Sequence, residues 1–239
     1  MKYKGGSHFP TLVFFYCSVI IGYRNCLIRI RRIKRRAAKW NAGVSMDKKF
    51  NELLKKIYEI LKPLGYRKEA SNYRLFCADG LCRIINVQRN RWNTSEQCEF
   101  FINIGVYFEK ENIISMRNFK EYDCQIRKRV DNEKYGKSEW WRLDCDTPIE
   151  ELLKSIEPVF FYIEKWFALF PSKEMTIHKI LDGTAERYSD TTVMHFHTAK
   201  LLAEMGYSSE VYELIKNTKI THPHATMVIE LAEQLKKSD

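Results

Sequence analysis

The stretch CEFFINIGVYF, Cys98 to Phe108, decides how this chain is read. Cys98, Phe100, Ile102, Ile104, Val106 and Phe108 alternate with Glu99, Phe101, Asn103, Gly105 and Tyr107. A period of two marks a strand whose successive side chains point to opposite faces. The first set is wholly apolar, so that face is core. The second set is only half polar, so that face is expected either to be covered by further chain or to bind.

Upstream, YRLFCADGLCRIINVQRNRW (Tyr73–Trp92) sets two β-rich runs around Asp79-Gly80. This pair suits a two-residue type I′ hairpin, which needs two positive φ values. That turn puts Ala78 opposite Leu81 and Cys77 opposite Cys82, with the cysteine Cα atoms about 4.5 Å apart, a separation that a disulfide can span. The seven cysteines (17, 26, 77, 82, 98, 124, 145) form no Cys-x-x-Cys pair and are odd in number. They read as reduced thiols of a cytosolic protein, so Cys77 and Cys82 are expected to be free.

Further upstream, Phe50, Leu53, Leu54, Ile57 and Leu61 follow the i, i+3, i+4, i+7 rule of a helix with one buried face, stopped by Pro63 and Gly65. Downstream, CQIRKRV (Cys124–Val130) and WWRLD (Trp140–Asp144) read as strands, with a polar stretch containing Asn118 and a turn near Tyr135-Gly136. Thr147 as N-cap, Pro148 at the first helical position and Glu150 at the third predict a capping box. The helix it opens has the stripe Ile149, Leu152, Leu153, Ile156, Val159, Phe160, Ile163, Phe167 and Phe170. Pro158 is expected to kink this helix and Pro171 to end it. From Asp190 onward the chain reads as short helices punctuated by Gly206 and Pro223.

The fold class is therefore α+β: an antiparallel sheet packed against an N-terminal helix and a long helix near 148–170, followed by a small all-helical module. The expected divisions are 1–45, an extension; 46–175, the α+β domain; and 176–239, the helical module.

The net charge of +10 suggests an anionic partner until its distribution is examined. The first 45 residues hold ten of the 40 basic side chains and no acidic one, leaving 30 basic against 30 acidic in the remainder. The apolar run Phe9–Tyr23, directly before the basic cluster Arg24–Lys39, makes a helix of about 22 Å, short of the ~30 Å hydrocarbon core. Three readings stand: translation that starts at Met46, a short anchor with the body in the cytoplasm, or a soluble basic arm. The first carries most weight, because MDKKFNELLKKIYEILKPLGY opens directly into the amphipathic helix. A membrane contact is expected only if residues 1–45 are made. The body is expected to be cytoplasmic, and a secretory signal would have its charges before the apolar run.

The order of pieces from Met46 to about Pro171 resembles the bacterial family catalogued as domain of unknown function 4304. The resemblance rests on LKPLGYRK (Leu61–Lys68), IINVQRNRW (Ile84–Trp92), FFINIGVYF (Phe100–Phe108) and CQIRKRV, followed by a tryptophan-containing piece and a closing helix. It implies a fold and no known reaction. The family pattern commonly has His after the Cys of CQIRKRV; here Gln125 stands there. Imidazole chemistry at that position is therefore not expected.

Gln88, Asn86, Asn103, Arg127 and Arg129 are polar groups on or beside strands where the resemblance keeps recognisable residues. With Trp140 they are the candidate ligand-binding residues: they could meet on a sheet face, the arginines giving bidentate contacts to an anion. The competing reading is outward-facing polar positions, with the arginines paired to Glu121, Asp123 or Asp131. Trp92, Trp140 and Trp141 beside Arg89, Arg91 and Arg142 also suggest a single-stranded nucleic-acid surface, which the neutral body disfavours. His178, His195, His197, His222 and His224 include no i, i+4 pair with a completing carboxylate, so no metal ligand set is read. G-x-S-x-G, G-x-x-x-x-G-K-[ST], H-E-x-x-H and G-x-G-x-x-G are absent, and no catalytic residue or cofactor is named. The leading expectation is a non-enzymatic cytosolic protein-binding module, in a conflict or immunity setting. The alternatives are a small-molecule-binding enzyme or hydrolase using a polar sheet face, and a nucleic-acid binder. A concavity converging on Gln88, Asn103 and Arg127 would favour the small molecule, and a flat face the protein partner.

Overall fold

The CEFFINIGVYF strand lies at the centre of a six-stranded antiparallel sheet in the structure, a computed structural model that describes residues 45–111, 119–130, 140–217 and 225–238. The expectations for residues 1–44, Asn118, Asp131, Tyr135-Gly136, His222, Pro223 and His224 lie outside the described residues. In chain order the elements are α1 (Met46–Leu61), β1 (Arg67–Glu69), β2 (Asn72–Phe76), β3 (Cys82–Arg89), β4 (Gln97–Tyr107), β5 (Ile126–Val130), β6 (Trp141–Asp144), α2 (Ile149–Phe167), α3 (Lys173–Leu181), α4 (Phe196–Glu204), α5 (Ser208–Asn217) and α6 (Ala225–Ser238). Among the described residues, no helix is long and apolar enough to cross a membrane.

Strand order is β1-β2-β3-β4-β5, with β6 also paired to β4. The length of β4 explains this branch. Its first part, Gln97–Phe100, pairs with β6, and its second, Ile102–Val106, pairs with β5. Two short strands therefore lie along the edge of β4 away from β3.

The face bearing Phe100, Ile102, Ile104 and Val106 is core, as the alternation predicts, and α1 and α2 contribute to the same core. The predicted α1 stripe is wholly buried, with Phe50 edge-on to Phe100 at 5.8 Å and Tyr73 donating from its hydroxyl to the Leu54 carbonyl at 2.7 Å. Burial of each such side chain contributes about 1.5–3 kcal/mol. Trp166, outside the predicted α2 stripe, is also buried and donates its ring N–H to the Tyr188 carbonyl at 3.1 Å.

The second face is covered in part. Phe119, Cys124, Cys82 and Ile84 form a small separate apolar cluster on it. Tyr107 stacks on Phe119 at 4.2 Å, and the buried Arg74 donates to the Phe119 carbonyl at 2.6 Å and pairs with Glu69. The backbone beneath Cys124 is Gly105, where a Cβ would lie 2.6 Å from the Cys124 sulfur. Only glycine permits so close an approach.

Two local expectations need correction. Cys82 stands opposite Phe76, not Cys77, because the hairpin loop is one residue longer than a type I′ turn. Cys77 N–H donates to the Leu81 carbonyl, Gly80 N–H to the Cys77 carbonyl, and Gly80 alone has a positive φ, 84°. That is the three-residue hairpin with a left-handed glycine. The Asp79 carboxylate helps to hold it, accepting from Leu81 N at 3.1 Å and from Lys173 N at the start of α3 at 2.6 Å. The described cysteines, Cys77 and Cys82 among them, are free.

Nor does Thr147 cap α2: Pro148 is the N-cap and makes no side-chain capping bond. Thr147 instead donates its hydroxyl to Asp144 at 2.6 Å, so its oxygen is engaged by the preceding turn. The helix runs on through Pro158 to Phe167. Helix α3, absent from the sequence reading, follows Pro171 at once, with the Ser172 hydroxyl accepting from Met175 N as its cap.

Candidate ligand-binding cleft

The registers of β2, β3, β4 and β5 bring four polar residues into one row across the partly covered face: Asn72 stands opposite Asn86, Asn86 opposite Asn103, and Asn103 opposite Arg129. Their side chains are hydrogen-bonded in series. Arg129 Nε donates to Asn103 Oδ1 at 3.0 Å; Asn103 Nδ2 donates to Gln88 Oε1 at 2.7 Å and to Asn86 Oδ1 at 3.5 Å; Asn86 Nδ2 donates to Asn72 Oδ1 at 2.8 Å. Each amide turns its oxygen towards the guanidinium end, so the bonds polarise one another in a common sense. Asn103, 4 % exposed, is the fixed point of this chain.

Arg129 is also held by stacking and by its backbone. Its guanidinium carbon lies 4.0 Å from the Phe101 ring centroid, and Phe101 packs on Trp140 with centroids 3.6 Å apart. Cation–π contact of this kind orients the planar fork. The exposed Arg129 side chain spends only Nε; among the described residues, its two Nη groups have no hydrogen-bond partner.

On its free edge β5 is met by the connector that precedes α4. Asp190 N donates to the Arg127 carbonyl at 2.8 Å, Arg129 N donates to Asp190 Oδ2 at 2.6 Å, and the Ser189 hydroxyl accepts from Arg127 N and donates to the Arg127 carbonyl. These groups stand in for a neighbouring strand and satisfy an edge that would otherwise be open to pairing.

Arg127 lies opposite Gly105 and makes a two-point ion pair with Glu121, Nε at 2.8 Å and Nη2 at 3.2 Å. Between the row, this pair and the connector is a cleft of about 370 Å³, lined by Asn103, Glu121, Arg127, Lys128, Arg129, Asp190 and Thr191.

Of the sequence candidates, Gln88, Asn103, Arg129 and, through Phe101, Trp140 are joined in one contact network. Gln88 and Trp140 are not walls of the cleft. Arg127 is paired with Glu121, one of the acids anticipated for it, whereas Arg129 makes no ion pair among the described residues. Phe101, Asp190 and Thr191 were not anticipated as site residues. Phe101 sits in the alternation as an apolar residue on the polar face, which is a usable signal; nothing local to Asp190 relates it to β5.

Gln125, at the position where the resemblance expects His, is buried and bridges the backbone of Phe108, accepting from its N–H at 3.0 Å and donating to its carbonyl at 3.1 Å. It extends the β4–β5 ladder. The other aromatic–basic set is dispersed: Trp141 is 3 % exposed on the core face, Trp92 is 75 % exposed, Arg89 pairs with Asp47 and Arg142 pairs with Glu99. Burial pushes the Cys82 and Cys124 thiols up, keeping them protonated and poorly nucleophilic. Among the described residues, no group of three or more His, Cys, Asp or Glu could hold a metal ion.

No curated protein and no solved structure matches the chain. A family model matches residues 57–169, which include all six strands and end before the connector at Asp190. That model is the one described as Domain of unknown function (DUF4304), and the chain is similar to it over these residues.

Proposed function

We propose that the chain is a non-enzymatic, cytosolic binding protein that engages a protein partner through the partly covered sheet face, with Arg129 as the anchoring residue. One observation carries this reading: Arg129 is exposed, oriented by Asn103 and by the Phe101 ring, and its two Nη groups have no hydrogen-bond partner among the described residues. A fork held in advance loses little conformational freedom when it binds a carboxylate or phosphate. Arginine beside aromatic rings is also the composition of interface hot spots. A conflict or immunity setting suits a module whose surface offers recognition groups and whose sequence carries no catalytic signature.

The cleft of about 370 Å³ favours a second reading, a small anionic ligand, because its size falls in the range of small-molecule sites. Affinity capture from the native cell with the full chain and with Arg129→Ala separates the two. The protein-partner reading predicts a stoichiometric protein that the wild type retains and the variant loses. Recovery of no such protein, or equal recovery by both chains, contradicts it.

A further inference from the structure

The polar groups of the cleft that are already spent define what it can take. Glu121 is occupied by the two-point contact with Arg127, and Asp190 Oδ2 by the Arg129 backbone N–H. Among the described residues, what remains is the Nη pair of Arg129, the ammonium group of Lys128 and the other carboxylate oxygen of Asp190; the Thr191 hydroxyl is shared with that of Ser189 at 3.4 Å. Three cations and two carboxylates line the cleft, so a single negative charge neutralises it. A dianionic phosphate would meet Asp190 as a like charge, which disfavours it.

We infer that the cleft takes the free C-terminus of a peptide chain, its carboxylate on the Arg129 fork and its last amide N–H donated to Asp190. This deepens the protein-partner reading and rests on it. The carboxylate matches the bidentate geometry of the fork. The amide N–H gives the exposed Asp190 oxygen a peptide donor in place of solvent, a bond that a carboxylate without a neighbouring N–H cannot supply. Preceding residues of the peptide have Phe101, Trp140 and Gln88 beside the fork on which to lie. Asp190 is the specificity-determining residue in this arrangement. Because it lies beyond residues 57–169, the family domain alone lacks this acceptor, and the connector to α4 supplies it.

The test is an NMR titration of the isotopically labelled full chain with three probes: N-acetylglycine, acetate and methyl phosphate. Saturable shifts are expected at 101–105, 126–130 and 189–191. N-acetylglycine should bind about fivefold more tightly than acetate, the worth of one hydrogen bond. Arg129→Ala should weaken N-acetylglycine at least about tenfold, and Arg129→Lys, which keeps the charge without the fork, should also weaken it. In Asp190→Asn the preference over methyl phosphate should shrink. If the folded wild type gives no saturable shift, or if methyl phosphate or acetate binds more tightly than N-acetylglycine, the inference is wrong. Equal affinity in wild type and Arg129→Ala also overturns it. The two proposals fail separately. A partner captured through Arg129 while N-acetylglycine does not bind removes only the C-terminus; N-acetylglycine binding with no captured partner removes only the protein-partner reading.

Discussion

Replacement of Gly105 by alanine tests whether the segment carrying Glu121 is seated on the sheet as described. The added Cβ would lie 2.6 Å from the Cys124 sulfur, 2.8 Å from the Cys124 Cβ and 3.3 Å from the Ile126 carbonyl oxygen. Rotation of the Cys124 side chain can move its sulfur but not its Cβ, and Cys124 is 1 % exposed among Cys82, Ile84 and Phe119. Reaching an ordinary carbon–carbon contact therefore needs about 1 Å of backbone displacement in the covering segment or in β5. Overpacking of that kind costs about 1–3 kcal/mol. For a protein of this size the melting temperature should fall by about 2–12 °C.

Urea unfolding of the full chain is the assay, and the midpoint should fall at an unchanged slope. Cys124→Gly in the Gly105→Ala background removes both clashing atoms, so the double variant should lose less than the sum of the two single losses. Since Glu121 holds Arg127, the single variant should also weaken whatever binds the cleft. A Gly105→Ala protein within about 0.5 kcal/mol of wild type, with additive effects in the double variant, would refute the packing of this segment on β4.

Gln125→Ala leaves the buried N–H and carbonyl of Phe108 without side-chain partners and should destabilise the chain by about 1–3 kcal/mol, read from the same urea curves. The Thr147 hydroxyl, followed by the backbone N–H groups of Thr147 and Asp146 and the nearby Lys49 charge, holds the Asp144 carboxyl below its ordinary value. Because the folded value is the lower one, this contribution is present above about pH 4, the ordinary value for an unfolded aspartate, and is lost as pH falls through the folded value. Asp144→Asn should flatten the acid limb of stability below about pH 4, and an NMR titration placing Asp144 at or above the ordinary value would rule this out. Alkylation of the unfolded chain without reductant should label both Cys77 and Cys82; a linked pair in cell-made protein would contradict both the hairpin register and a cytosolic location.

Alternation in β3 and β4 and the helical stripes of α1 and α2 suffice to specify the sheet, its core face and the helices packed there, because period is a property of neighbours in sequence. The Asp79-Gly80 turn was misjudged by one residue. Its register depends on how many positive φ values the loop uses, and only Gly80 has one. Thr147 differs from expectation for a related reason: its donation to Asp144, three residues back, holds the hydroxyl at the preceding turn, and Pro148 takes the N-cap position. At the site, the strand polarity of Gln88, Asn103 and Arg129 was legible, but not that one row would join them to Asn72 and Asn86. That row follows from pairing across β2, β3, β4 and β5. Asp190 was beyond reach, since its place depends on an unpaired β5 edge 61 residues away along the chain.

Hydrogen–deuterium exchange of the full chain, alone and saturated with the captured partner, tests the anchoring of that partner at Arg129 most directly. Protection is predicted in peptides covering 99–107, 126–130 and 189–191, and it should vanish at the same partner concentration in Arg129→Ala. Protection confined to α5 and α6 or to the loop bearing Trp92, with the β4 and β5 peptides unchanged, would contradict it.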